Sequence, residues 1–382
     1  MDPAARWRFA AFYLAYYAAL GAYTPYVGRF VDALGHGGWV VGGMIGVWYG
    51  TRVLAPPAWT LLLARSRRPG WVFVAGCIAT LACFAGFLAT ESATALLAVM
   101  AGFGLFYNAV MPQFEAMTLT ALGSSSQEYG RIRLWGSLGF LVVAGSYGTL
   151  LDHFGSTAFP WLTLPLFAAM VWAGWLHRGD PAPEPGPAMG NAGHLWKRPG
   201  VRRFLLVALL MQAGFGPFYV FFTLHLQAAG HDGTTVGVLW AVGVLVEILL
   251  FWQAPALLQR HGAPRLLSFC VGVTVLRWTV TALWPGNLSL MLLAQASHAF
   301  GFALFHACCM RLMAEYFPGG RAAAGQGLLY GFGSGLGGVL GSLLAAAMWV
   351  RFGGDAAFLA GAAVALAALL VNAGRARSAA AP

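Results

Sequence analysis

Residues 234–258 read TTVGVLWAVGVLVEILLFWQAPALL, and Glu247 is their single charge. A hydrocarbon core about 30 Å thick takes about 20 apolar residues of helix. The run is therefore long enough to cross a membrane, with a carboxylate near its middle. Its apolar residues are continuous rather than alternating, which excludes a transmembrane β-barrel. Working outward, hydropathy draws eleven further runs, at 9–33, 38–63, 71–90, 93–121, 131–151, 158–176, 201–228, 265–284, 287–314, 322–349 and 356–373. The whole chain agrees: of 382 residues, 59% are hydrophobic and 9% charged, against about 25% charged in a soluble domain. A soluble, fibrous, disordered or disulfide-bonded secreted chain is excluded. The expectation is an all-α membrane protein of twelve transmembrane helices in two six-helix halves.

Charge placement gives the organisation. The chain carries 22 basic residues against 12 acidic ones, and all but Lys197 of the basic ones are arginines. With the N-terminus inside, 16 of the 22 fall in cytoplasmic segments and only Arg29 and Arg351 in external ones. That asymmetry predicts that both termini are cytoplasmic, in an inner membrane. Arg6 and Arg8 precede an apolar run too long for a signal peptide, so Phe9–Leu34 reads as an uncleaved first span. The Pro/Gly-rich stretch DPAPEPGPAMGNAG reads as a linker. The domains expected are an N-terminal half at 1–178, a cytoplasmic linker at 179–199 and a C-terminal half at 200–382. The halves echo each other weakly: LLLARSRRPGW against ALLQRHGAPRLL, and YGRIRLWGS against the Gly319-Gly320-Arg321 triplet. The five cysteines lie inside apolar runs and do not form a disulfide pattern.

A charge in lipid costs several kcal/mol, so each one asks for a reason. Glu247, Arg277 and His298 lie about 11–14 residues into consecutive spans, near the bilayer middle. They are read as lining a polar solute cavity, or else as a Glu247–Arg277 ion pair that only holds helices together. Glu115 and Arg133 form a second candidate pair, for substrate contact or for an interhelical bond. Arg311 and Glu315, spaced i,i+4, read as a local surface pair. Arg52 either snorkels or faces the cavity. Tyr17, Tyr219 and Asn108 are candidate substrate contacts among abundant aromatics, most of which pack between helices. His306 beside Cys308 and Cys309 does not read as a metal site, because adjacent cysteines on a helix point apart. The Gly-rich GFGSGLGGVLGS reads as small-residue helix packing, not a phosphate loop.

The set FYLAYYAALGAYTPY, YGRIRLWGSLGF, WAVGVLVEILLF, VGVTVLRWTV and QASHAFGFALFHACCMRLM resembles the phenylpropionate permease family of the major facilitator superfamily. That family is related to the lactose permease and nucleoside–proton symporter group. The resemblance runs from Phe9 to about Phe358 and implies a twelve-helix fold and proton-coupled uptake of small aromatic acids. It matches Glu115 and Arg133 to a carboxylate–arginine pair that contacts sugar in lactose permease. It matches Glu247, Arg277 and His298 to that protein's carboxylate, arginine and histidine in the eighth, ninth and tenth helices. Gly301 stands where lactose permease has its proton-carrying carboxylate, which leaves proton coupling to Glu247, with His298 as the second carrier. The loop LLLARSRRPG lacks the acidic residue usual there.

The function expected is a secondary transporter rather than an enzyme: a proton symporter that imports a small organic anion such as an aromatic carboxylate. Within the spans four arginines face three carboxylates, which leaves one positive charge for an anion. Rival readings are a nucleoside or sugar symporter, an exporter, a membrane sensor or a membrane-embedded enzyme. Expected partners are the solute, protons and membrane lipid, with a monomeric chain, no cofactor, no metal and no nucleic acid.

Overall fold

The computed structural model describes residues 2–123, 128–181, 195–318 and 321–379. Every regular element among them is helical. Apolar solvent offers the backbone no partners, so a spanning segment must satisfy its own N–H and C=O groups, and a helix does this. The chain divides into two compact units. Residues 182–194, most of the expected linker, and Gly319 and Gly320 of the second echo lie outside the described residues.

The first unit comprises Met1–Pro185 together with Asp232–Val238. Its helices are α1 (Pro3–Ala33), α2 (Gly38–Ala64), α3 (Pro69–Ala85), α4 (Ala93–Leu122), α5 (Tyr129–Phe154) and α6 (Phe159–Trp175). Asp2 caps α1, its carboxylate accepting from the Ala5 N–H at 2.6 Å, and Pro3 opens the helix. The α1 helix packs on α5 and α6, and α4 packs on α2 and α3. Between α1 and α5 the contact is backbone to backbone. A Cβ at Gly139 would collide with the Leu14 carbonyl, and one at Gly21 would sit 2.8 Å from the Phe140 carbonyl. Small residues allow such an approach, which matters where lipid removes the hydrophobic drive between helices.

Aromatic rings fill the rest of this core. Tyr16 of α1 and Tyr107 of α4 stack with centroids 4.3 Å apart and planes 9° apart. Each hydroxyl donates to the other residue's carbonyl, at 3.3 and 3.2 Å. Beyond α6, His177 sets one ring nitrogen 2.7 Å from Asp180 and the other 3.1 Å from the Arg8 carbonyl. Arg8 reaches the same carboxylate at 3.4 Å. Partial burial works to raise the Asp180 carboxyl, but the His177 and Arg8 contacts outweigh it and hold it below the ordinary carboxylate value.

The second unit comprises Gly186–His231 and Leu239–Pro382. It contains α7 (Pro199–Gly214), α8 (Gly216–Ala228), all but the first turn and a half of α9 (Gly233–His261), and α10 (Ala263–Leu283). It continues through α11 (Leu288–Ala296), α12 (Phe305–Tyr316), α13 (Ala322–Leu328) and α14 (Gly337–Ala379). Two wide π-helical turns interrupt it, at Phe300–Leu304 before α12 and at Leu329–Leu336 before α14. The α14 helix packs on α7, α8 and α10.

By length and composition, nine helical stretches among the described residues are fit to cross a membrane. Twelve were expected from the sequence, and the difference has a chemical reason. The α1 and α2 helices are long enough, at 31 and 27 residues. Their tyrosines, tryptophans, glycines and prolines lower the mean hydropathy, and neither is among the nine. The last stretch runs 50 residues, from Ala324 to Ala373. It breaks at Gly353, whose φ of +85° is left-handed backbone that suits glycine. The break falls between the two final runs drawn from hydropathy.

Candidate transport site

In the second unit, three of the expected residues form a chain of contacts. Arg277 comes from α10, Glu247 from α9, and His298 follows α11. Arg277 is 3% exposed. Its Nη1 donates to His298 Nδ1 at 2.9 Å, and its Nη2 donates to Gln295 Oε1 at 3.1 Å. The cation also lies 4.4 Å from the Phe218 ring centroid and 4.2 Å from that of Trp278. These faces replace part of the hydration a buried cation loses.

The contact fixes the histidine's tautomer. A guanidinium only donates, so Nδ1 must present its lone pair and the ring proton sits on Nε2. That nitrogen faces Glu247 Oε2 at 3.8 Å. The order is therefore Arg277, His298, Glu247, with the imidazole placed between the arginine and the carboxylate. The Glu247–Arg277 ion pair, the alternative reading of these charges, gives way to contacts through His298. Two donors remain unspent among these groups, Arg277 Nε and Gln295 Nε2. Gln295 went unnoticed in the sequence. Its signal was there, a polar residue three positions before His298 on one helical face.

The first unit holds the second expected set. The Arg133 guanidinium lies 3.9 Å over the Tyr17 ring, with the Tyr13 ring at 5.6 Å. Glu115 accepts from the Tyr129 hydroxyl at 3.4 Å. Glu115 and Arg133 are not in ion-pair contact; each has an aromatic residue as its neighbour. Among the described residues nothing hydrogen-bonds Arg133, so its planar fork of donors is unspent. Tyr17 is the platform that orients it. Asn108 is committed elsewhere. Its amide donates to the Trp48 carbonyl at 3.1 Å and the Thr51 hydroxyl at 2.9 Å, and its oxygen accepts from Arg52 at 3.4 Å. It ties α4 to α2. Arg52, undecided in the sequence, rests 4.3 Å from the Trp48 ring centroid.

Tyr219 lines a cavity of about 90 Å³ inside the second unit, together with His306 and Ser334. Arg311 and Glu315 make the expected i,i+4 pair at 2.9 Å, exposed. Among the described residues no group of three or more His, Cys, Asp or Glu side chains is placed to hold a metal ion.

Comparison with known proteins places this architecture. The chain is 28% identical over 318 residues to a probable 3-phenylpropionic acid transporter of Escherichia coli, covering 81% of this chain and 82% of that protein. It is 27% identical over 285 residues to a maltose permease of Geobacillus stearothermophilus, covering 72% and 71%. Among solved structures, the D323A mutant of the nucleoside transporter NupG superposes with a TM-score of 0.87 at 15% identity, covering 97% of this chain and 99% of that one. The human organic anion transporter MFSD10 gives 0.65 at 17% identity, covering 97% and 100%. These likenesses to solved structures establish the fold. The relatives are transporters, not enzymes, and this chain is a multi-pass membrane transporter of the major facilitator type. The MFS_1 like family model matches residues 6–360, and the chain belongs to that family.

Proposed function

We propose that the protein is a proton symporter of the inner membrane that imports a small organic anion, an aromatic carboxylate of the 3-phenylpropionate kind. The observation that carries this reading is the Arg277–His298–Glu247 relay, a carboxylate beside a tautomer-fixed imidazole inside a membrane span. Such intramembrane relays of ionisable groups mark proton pathways. Glu247 is the proton carrier; His298 presents N–H to it and is held from behind by Arg277. Arg133 receives the substrate carboxylate, since its donors are unspent and its plane is set by Tyr17. The described relative at 28% identity supports the aromatic acid.

The same reading takes twelve spans: the nine apolar stretches with the last divided at Gly353, plus α1 and α2. Both termini are cytoplasmic and the chain works as a monomer. Reporter fusions after Asp232 and after Pro382 test the topology; cytoplasmic activity at Asp232 overturns it.

Transport is tested with purified protein in proteoliposomes. Labelled 3-phenylpropionate should accumulate when the outside is made acidic and should not when a protonophore is present. Nucleosides and maltose serve as rival substrates. Accumulation of a rival but not of the aryl acid, or accumulation unaffected by the protonophore, overturns the reading.

A further inference from the structure

The cavity of about 90 Å³ in the second unit is built by α7, α8, the start of α12 and both π-helical turns. Wide turns of this type recur at functional sites, because they shift side chains out of the regular helical register. Five rings line it, Phe215, Tyr219, Phe302, Phe305 and Tyr330, with aliphatic side chains between them.

Gln212, which has a partner of its own, also lines the cavity, and two further polar side chains stand in it, His306 and Ser334. Neither forms a hydrogen bond within the protein among the described residues. Four other serines behave otherwise. Ser146, Ser268, Ser297 and Ser342 each return their hydroxyl proton to a carbonyl three or four residues back, at 2.7 to 3.3 Å. His306 is half-buried, with the Tyr330 ring 6.5 Å from its own. A half-buried imidazole and a hydroxyl without a hydrogen-bond partner among the described residues, in a pocket walled largely by aromatic rings, suit a flat apolar ligand with one polar substituent. Aromatic walls take the ring faces, and the polar pair takes the substituent. The pocket also shares walls with the relay. Phe302 stacks on His298, with centroids 5.4 Å apart and planes 16° apart, and Phe215 lies 5.7 Å from the Arg277 guanidinium carbon.

We infer that this pocket binds an aromatic ring carrying a hydroxyl group, with His306 and Ser334 as the residues that select the hydroxyl. The inference rests on the aryl-acid reading above and narrows it to ring-hydroxylated acids. A phenolic O–H donates to the free imidazole nitrogen and accepts from Ser334, so both protein groups gain the partner they lack.

Calorimetric titration of the purified protein in nanodiscs tests this with 3-phenylpropionate and its 3- and 4-hydroxy derivatives. At least one hydroxylated acid should bind about tenfold more tightly than the unsubstituted acid, the size expected of about one net hydrogen bond or slightly more. In His306→Phe combined with Ser334→Ala the ratio of the hydroxylated to the unsubstituted affinity should fall to about one, whatever the absolute affinities. His306→Asn, which keeps a polar group, should restore part of the advantage. Equal affinity for all three acids in the wild type, or an unchanged advantage in the double variant, overturns the inference. If no aryl acid binds, the functional reading fails, and p-cresol tests the pocket alone. Binding of p-cresol that the double variant loses supports the pocket, and its absence in the wild type removes it. Melting temperatures within a few degrees of wild type establish that the variants fold.

Discussion

The Arg277 guanidinium donates to His298 Nδ1 across 2.9 Å, so the imidazole proton is on the nitrogen that faces Glu247. A single interhelical hydrogen bond between α10 and the segment after α11 thus decides what the neighbouring carboxylate meets. His298→Asn places an amide oxygen near the Nδ1 position and should keep the acceptor for Arg277. Its melting temperature should stay close to wild type, with proton-driven accumulation reduced. His298→Leu removes the acceptor and leaves a buried cation short of a partner, which costs about 1–3 kcal/mol. Thermal unfolding in detergent should show the second variant clearly below the first; equal melting temperatures contradict the tautomer argument.

Glu247→Gln should abolish accumulation driven by a pH gradient and leave substrate counterflow, which requires no net proton movement. The amide retains size and hydrogen bonding but carries no exchangeable charge. Vesicle uptake with and without an imposed gradient makes the measurement. A variant that still accumulates substrate in response to the gradient transfers the proton role to His298.

Arg133→Lys should raise the transport KM about tenfold or more. An ammonium neither spreads over the Tyr17 face nor offers two parallel donors to a carboxylate. Arg133→Ala should lose saturable uptake of aryl acids altogether. Near-wild-type kinetics in both variants together would remove Arg133 from the binding role.

Gly139→Val should destabilise the first unit more than any change at the exposed Gly130. A side chain at Gly139 meets the Leu14 carbonyl of α1, whereas Gly130 has open space around it. The expected readout is a lower melting temperature and loss of monodisperse protein for Gly139→Val alone. Equal behaviour of the two would mean that the α1–α5 approach tolerates a side chain.

The Asp180 contacts should matter above the ordinary carboxylate range and fail in acid. Because His177 and Arg8 hold this carboxyl below its usual value, its stabilising contribution is complete above the unfolded value near 3.8. It is lost as the pH falls from there through the lowered folded value. Asp180→Asn should therefore lower the melting temperature at pH 7 and bring the wild type and the variant together as the pH drops below that range. A difference that stays constant through acid would contradict the assignment.

Several features were legible in the sequence because each depends on a local property. Run length and continuity marked 234–258 as a helix able to cross a membrane. Intramembrane cost singled out Glu247, Arg277 and His298 before any contact was known, and helical spacing paired Arg311 with Glu315. Hydropathy also draws runs over α1 and α2, although their tyrosines, tryptophans and prolines lower the mean and keep them out of the nine most apolar stretches. What only the tertiary structure decided are relations between helices. The stacking of Tyr16 on Tyr107 joins residues 91 positions apart, and the sequence does not encode which helices become neighbours in any local period. The same holds for the placing of His298 between Arg277 and Glu247, for the commitment of Asn108 to α2, and for the turning of Arg133 toward Tyr17 rather than Glu115. In the sequence His306 is weighed only as a metal ligand and set aside, and Ser334 reads as part of a small-residue packing stretch. The wide turns beside them set their side chains, and a hydrogen bond that is not made becomes visible only once every neighbour has a position.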